Sequence, residues 1–134
     1  MSIPTAILGA SGYAGGELIR LVDEHPSLEV AHLGAHSRAG ALLGEVHPQL
    51  DGATRTLDSL DPATVPTVDL AFLALPHGAS AEPAMALLER GIRVVDLGSD
   101  FRLDSIDRYV AAYGPDHQYP EQLGMWAYGL PELF

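Results

Sequence analysis

The stretch that most constrains this chain is Ile7-Leu8-Gly9-Ala10-Ser11-Gly12-Tyr13-Ala14-Gly15-Gly16-Glu17-Leu18. A short apolar run, Ile3 to Leu8, leads into it. A helical pattern leads out of it, with Leu18, Leu21 and Val22 on one face and Glu17 and Arg20 off that face. Strand, glycine turn and helix in that order open a doubly wound, mostly parallel α/β sheet of Rossmann type. The glycines let backbone pass close to a bulky anion, and the new helix points its free N–H groups and positive dipole end at that anion. A dinucleotide pyrophosphate is the usual guest, here over Gly12, Tyr13 and Ala14. The spacing Gly9-x-x-Gly12-x-x-Gly15 departs from the strict G-x-G-x-x-G, so the flanking strand and helix give it its meaning. A tight turn whose glycines serve packing alone is the competing reading.

Further strands are expected at 28–34, 68–75 and 92–97, with a weaker one at 54–57. His25-Pro26 ends the first helix, because proline cannot continue the hydrogen-bond ladder. The residue about 20 positions beyond the glycine turn meets the adenosine ribose in such folds, and an acid there selects NAD. This chain has Gly34-Ala35-His36-Ser37-Arg38 instead. Ser37 can donate to a 2′-phosphate and Arg38 can pair with it bidentately, which favours NADP; an ordinary exposed loop arginine is the alternative. Residues 39–57 are punctuated by Gly40, Gly44, Pro48 and Gly52, so loops are expected, with His47 a lone surface histidine. The run 68–75 is nearly all apolar, as in a central strand buried on both faces. It ends in Pro76-His77-Gly78-Ala79-Ser80, where His77 can meet the nicotinamide half of a cofactor or simply satisfy a backbone carbonyl. A helix to Arg90 with Gly91 as its cap follows. The next strand ends in Gly98-Ser99-Asp100-Phe101-Arg102, whose charges suit either substrate recognition or an internal ion pair. Asp104 is expected to cap a short helix to about Ala112, with Asp107 in its first turn. Residues 113–134, rich in proline and aromatics, read as a packed loop.

Composition narrows the function. The 134 residues suit one domain, and 47% hydrophobic against 19% charged residues suit a globular one. The net charge of −11 leaves no basic face for nucleic acid. No apolar run approaches the roughly 20 residues of a membrane span, and no basic segment precedes an apolar one at the N-terminus, so a cytoplasmic location is expected. All seven basic residues are arginines, which removes a P-loop lysine and Schiff-base chemistry. Cysteine is absent, so disulfides, thiolate metal sites and a cysteine nucleophile are excluded within these residues, and no metal site is expected.

Four blocks together resemble the N-acetyl-γ-glutamyl-phosphate reductases of arginine biosynthesis: Gly-Ala-Ser-Gly-Tyr-Ala-Gly-Gly-Glu-Leu at 9–18, Leu-Pro-His-Gly at 75–78, Val-Asp-Leu-Gly-Ser-Asp-Phe-Arg-Leu at 95–103 and Tyr-Gly-Leu-Pro-Glu-Leu at 128–133. Their order and spacing span nearly the whole chain. The resemblance implies NADP-dependent reduction of an acyl phosphate to an aldehyde, through a thioester on a cysteine and hydride transfer to it. It implies cofactor contacts from Gly9, Ser11, Gly12, Tyr13, Ala14, Ser37, Arg38, Leu75, Pro76 and His77, and substrate contacts from Ser99, Arg102 and Glu132. Gly98 and Ser99 stand where the family usually has Ser-Ala. The family's catalytic cysteine follows the last block and its catalytic histidine lies in a second domain, so residues 1–134 are expected to be the NADP-binding domain without the catalytic and substrate domain. No catalytic residue is then expected in this chain, no serine or threonine in it shows a base partner, and the full-length enzyme is expected to be a homo-oligomer. The alternatives are a related acyl-phosphate reductase, of aminoadipate-phosphate or aspartate-semialdehyde type, and a non-catalytic NADP-binding module.

Overall fold

The computed structural model describes residues 1–133; Phe134, the end of the loop expected over 113–134, lies outside the described residues. Five parallel strands form one sheet in the order β3-β2-β1-β4-β5. They are β1 (Ile3–Leu8), β2 (Leu28–Ala35), β3 (Asp58–Ser59), β4 (Leu70–Leu73) and β5 (Arg93–Asp96). The helices are α1 (Tyr13–Glu24), the single-turn α2 (Leu43–Val46), α3 (Ala81–Glu89) and α4 (Ile106–Tyr113).

Alternation along the central strands builds two cores, one on each face of the sheet. Ala6 and Leu8 of β1 join Ala71 and Leu73 of β4 against Ala81, Ala84 and Leu87 of α3. Ile7, pointing the other way, packs with Leu18, Ile19 and Val22 of α1. The sheet is therefore covered on both sides, as expected of parallel strands this apolar.

Four expectations shift. The buried stripe of α1 is Gly15, Leu18, Ile19 and Val22, an i, i+3, i+4, i+7 set, and Leu21 faces solvent at 49% exposure. Residues 54–57 do not form the weak strand. Thr56 instead bridges antiparallel to Leu42, Leu43 N–H donates to Arg55 C=O, and the chain reaches the sheet only at Asp58. Strands β4 and β5 are shorter than the apolar runs that announced them. Ser105, not Asp104, caps α4 by accepting from the Arg108 N–H, while Asp104 pairs with the Arg108 side chain. Arg90 ends α3, and Gly91 follows it at φ +78°.

Candidate dinucleotide site

The strand order reverses direction between β1 and β4, and the loops leaving the carboxyl ends of these two strands flank the crevice where open α/β sheets bind ligands. The β1 loop is the glycine turn. Gly9 and Ala10 N–H both donate to Gly34 C=O at 2.9 Å, fixing the turn to the end of β2. Its three spaced glycines do different work. A Cβ on Gly9, which sits at φ +94°, would lie 2.2 Å from Ala74 O, and one on Gly15 would lie 2.0 Å from Gly9 O. Those two serve close backbone packing. A Cβ on Gly12 would meet nothing nearer than Gly9 O at 3.7 Å, so Gly12 leaves the mouth of the turn open.

Gly12 also caps α1 without a side-chain hydrogen bond, and the first turn of α1 carries no acid despite the acidity of the chain. Among the described residues the N–H groups of Ser11, Tyr13 and Ala14 have no acceptor. An open floor under unpaired N–H donors at a positive helix end fits a diphosphate. The Tyr13 side chain is fully exposed and leaves this floor clear.

His47 departs from expectation. It is buried at 6% exposure, and its Nε2 lies 2.8 Å from the carbonyl oxygen of Ala10. The imidazole packs against α1 so closely that a Cβ on Gly16 would lie 2.7 Å from its Cε1. Ser37 and Arg38 occupy the turn after β2, both exposed, and among the described residues the Arg38 guanidinium has no partner. Most other arginines are engaged: Arg20, Arg55 and Arg108 with carboxylates, Arg90 and Arg102 with carbonyls.

Across the crevice, Leu75 lies beside Gly9, its Cδ2 3.3 Å from where a Cβ on Gly9 would stand, and Pro76 and His77 are exposed. His77 satisfies no carbonyl. Its Nδ1 is 2.5 Å from the Ser99 hydroxyl oxygen, its Nε2 is 3.4 Å from the Tyr109 hydroxyl, and its ring lies 4.7 Å from that of Tyr113. Ser99 therefore does have a basic partner, one not visible in the sequence because 22 residues separate the two. Burial pushes the Tyr109 phenol above its ordinary value, with the Asp100 charge adding to it.

Asp100 and Arg102 do not pair. Asp100 is buried at 1% exposure and accepts from the N–H groups of Gly78, Ser80 and Ala81, at 2.8, 3.2 and 3.0 Å, so it caps α3 from another loop. Asp96 accepts from Ser80 Oγ and Gly98 N–H, both at 2.8 Å, and burial raises its carboxyl above the ordinary 3.8. Nothing local in the sequence marks Asp100, whose side-chain partners lie in the loop before α3 and at its first residue, or the reach of Asp96 to Ser80 in that same loop. Arg102 is exposed and reaches the carbonyls of Leu97 and Gly98 at 3.4 and 3.3 Å. It borders a groove of 620 Å³ that runs along β5 and is lined by Asp96, Trp126 and Tyr128 among others, with the Phe101 and Trp126 rings stacked at 4.4 Å. Ser99 faces His77 instead, and exposed Glu132 lies outside this lining, so the three residues expected at substrate are not brought together. Among the described residues no three His, Asp or Glu side chains are grouped to hold a metal ion, and no helix is long and apolar enough to cross a membrane.

Known proteins resemble this chain in sequence and in fold. The family model for the semialdehyde dehydrogenase NAD binding domain matches residues 4–134. The N-acetyl-gamma-glutamyl-phosphate reductase of Salinispora tropica is 50% identical over 133 residues, which make up 99% of this chain and 38% of that protein. The reductase of the same name from Paenarthrobacter aurescens is 47% identical over 134 residues, 99% of this chain and 37% of that one. The chain thus spans less than two fifths of the length of these relatives. Among solved structures, the aspartate semialdehyde dehydrogenase from Candida albicans with NADP superposes with a TM-score of 0.69 at 23% identity, over 79% of this chain and 32% of that one, a likeness of fold. With the glycine turn, the topological switch point and the family match in agreement, this chain belongs to the semialdehyde dehydrogenase NAD-binding domains, which take a nicotinamide dinucleotide.

Proposed function

We propose that residues 1–134 are the NADP-binding domain of an N-acetyl-γ-glutamyl-phosphate reductase, in which NADPH reduces an acyl phosphate to a semialdehyde. The observation that carries the choice of NADP is the unpartnered Arg38 guanidinium, exposed beside Ser37 at the carboxyl end of β2 in a chain of net charge −11. An unpaired cation there is free for a phosphate, and no acid stands ready for a ribose 2′-hydroxyl. The diphosphate lies over Gly12, Tyr13 and Ala14, and the nicotinamide half lies toward Leu75, Pro76 and His77. The Ser99 hydroxyl and the Tyr109 ring hold the His77 imidazole at the rim of the crevice. Arg102, in its groove, is placed to attract an acidic substrate.

The cofactor supplies a hydride when bound, and the residues of this chain bind and orient it. The cysteine that forms the thioester in the resembling enzymes is not among residues 1–134, so these alone bind dinucleotide without turnover. The test titrates NADPH and NADH by fluorescence into the chain and its Arg38→Ala variant, and assays both with N-acetylglutamyl phosphate. Arg38→Ala is expected to weaken NADPH about tenfold or more and NADH by less than about twofold, with no turnover by either protein. Equal loss for both cofactors overturns the NADP assignment. Turnover above a buffer control overturns the division of labour between domains.

A further inference from the structure

We propose that His47 is a positioning residue for dinucleotide binding: from behind the glycine turn, it aims the Ser11 N–H at the diphosphate. This rests on the diphosphate lying over that turn.

A carbonyl oxygen can only accept, so the 2.8 Å contact between His47 Nε2 and Ala10 O requires a proton on Nε2, donated inward to Ala10. The Ala10 carbonyl and the Ser11 N–H belong to one peptide unit. No peptide bond among the described residues is cis, and a trans planar unit points its C=O and N–H in opposite directions. Holding the Ala10 carbonyl toward the buried imidazole therefore turns the Ser11 N–H outward, and that N–H has no acceptor among the described residues. The neighbouring donors are committed: Gly9 and Ala10 N–H to Gly34 O, and Gly12 N–H to Gly9 O at 3.2 Å. Ser11 is thus the one donor of residues 9–12 left for a ligand, and the imidazole fixes its direction.

The imidazole is itself locked. Gly16 presses on it from α1, and its own backbone N–H donates to Leu43 O at 2.7 Å, with Leu43 fully buried. The segment bearing it is clipped to the far side of the site, since Ala41 N–H donates to the carbonyl of Arg38 at 3.1 Å. The excursion between β2 and β3 therefore carries both the arginine exposed after β2 and the histidine that braces the glycine turn.

The experiment compares the protein with its His47→Leu, His47→Gln and Gly16→Ala variants, measuring Kd for NADPH and for NADH together with the thermal midpoint. Glutamine places an amide N–H near the position of Nε2, leucine has no donor, and Gly16→Ala pushes the imidazole aside while leaving its chemistry intact. His47→Leu and Gly16→Ala are expected to raise both Kd values about tenfold, keeping the NADPH-to-NADH ratio, and His47→Gln to stay within about threefold of the parent. Arg38→Ala serves as contrast, since it changes the ratio. A purely structural role predicts a lower thermal midpoint with unchanged affinity of the folded fraction, and that result overturns the inference. So does His47→Gln binding as weakly as His47→Leu. Failure of the parent protein to bind either dinucleotide overturns the underlying site as well, and so is distinguishable from failure of the His47 role alone.

Discussion

Single atoms decide what each glycine of the turn does. Gly15 faces backbone, Gly9 O at 2.0 Å and Ala10 Cα at 2.8 Å from where a Cβ would stand, and backbone cannot move aside as a side chain tip can. Gly15→Ala is expected to destabilise the fold by about 3 kcal/mol in urea unfolding. Gly12 has φ −83° and open space around it, so Gly12→Ala should change stability by less than about 0.5 kcal/mol while weakening dinucleotide binding through the methyl it places in the mouth of the turn. If both variants destabilise alike, the division of roles is wrong. The sequence shows three glycines at a spacing and offers two readings, ligand approach or packing. Both hold, at different residues, and only the distances across the turn separate them. His47 was illegible for the same reason: its partner, Ala10, lies 37 residues away.

At the level of elements, the start of α3 is held by acids borrowed from the loop after β5. Asp100 accepts from the N–H groups of Gly78 in the preceding loop, Ser80 at the cap and Ala81 in the helix, and Asp96 holds the Ser80 hydroxyl. Burial raises the Asp96 carboxyl above 3.8, so the native state keeps that proton to higher pH than the unfolded chain does. The contribution of Asp96 to stability therefore falls as pH climbs from near 3.8 through the raised value, and is constant above it. Asp96→Asn keeps an acceptor for Gly98 N–H and presents an amide that can donate to Ser80 Oγ. The stability of this variant relative to the parent should rise as pH climbs from near 3.8 through the raised value and level off above it, as followed by urea unfolding. A flat or falling difference would count against burial as the governing effect. The strands themselves were legible because apolar runs and the turn residues that bound them are local signals. The strand expected at 54–57 was not, because Thr56 and Arg55 are drawn into pairing with Leu42 and Leu43 first.

Across the whole molecule, the parallel sheet gathers the glycine turn, Ser37-Arg38, His77 and Arg102 at its carboxyl edge, although they are spread over nearly a hundred residues of chain. That gathering was legible as a consequence of parallel topology. The pairing of His77 with Ser99 and the burial of Asp100 were not, since they depend on how two neighbouring loops fold onto one another. The segment after α4 contributes mostly exposed residues, and its contacts with the core are His117, whose Nε2 lies 2.6 Å from the Asp100 carbonyl oxygen, Tyr119, and the stack of Trp126 on Phe101, 4.4 Å apart and 5° from parallel. Trp126 is the single tryptophan of the chain. Its emission is therefore an optical label, already in place, for the docking of that segment alone. In a denaturant titration the indole signal should move at lower urea than the far-ultraviolet dichroism of the helices, because the segment has few buried contacts to lose. Coincident transitions would show instead that the segment melts with the sheet.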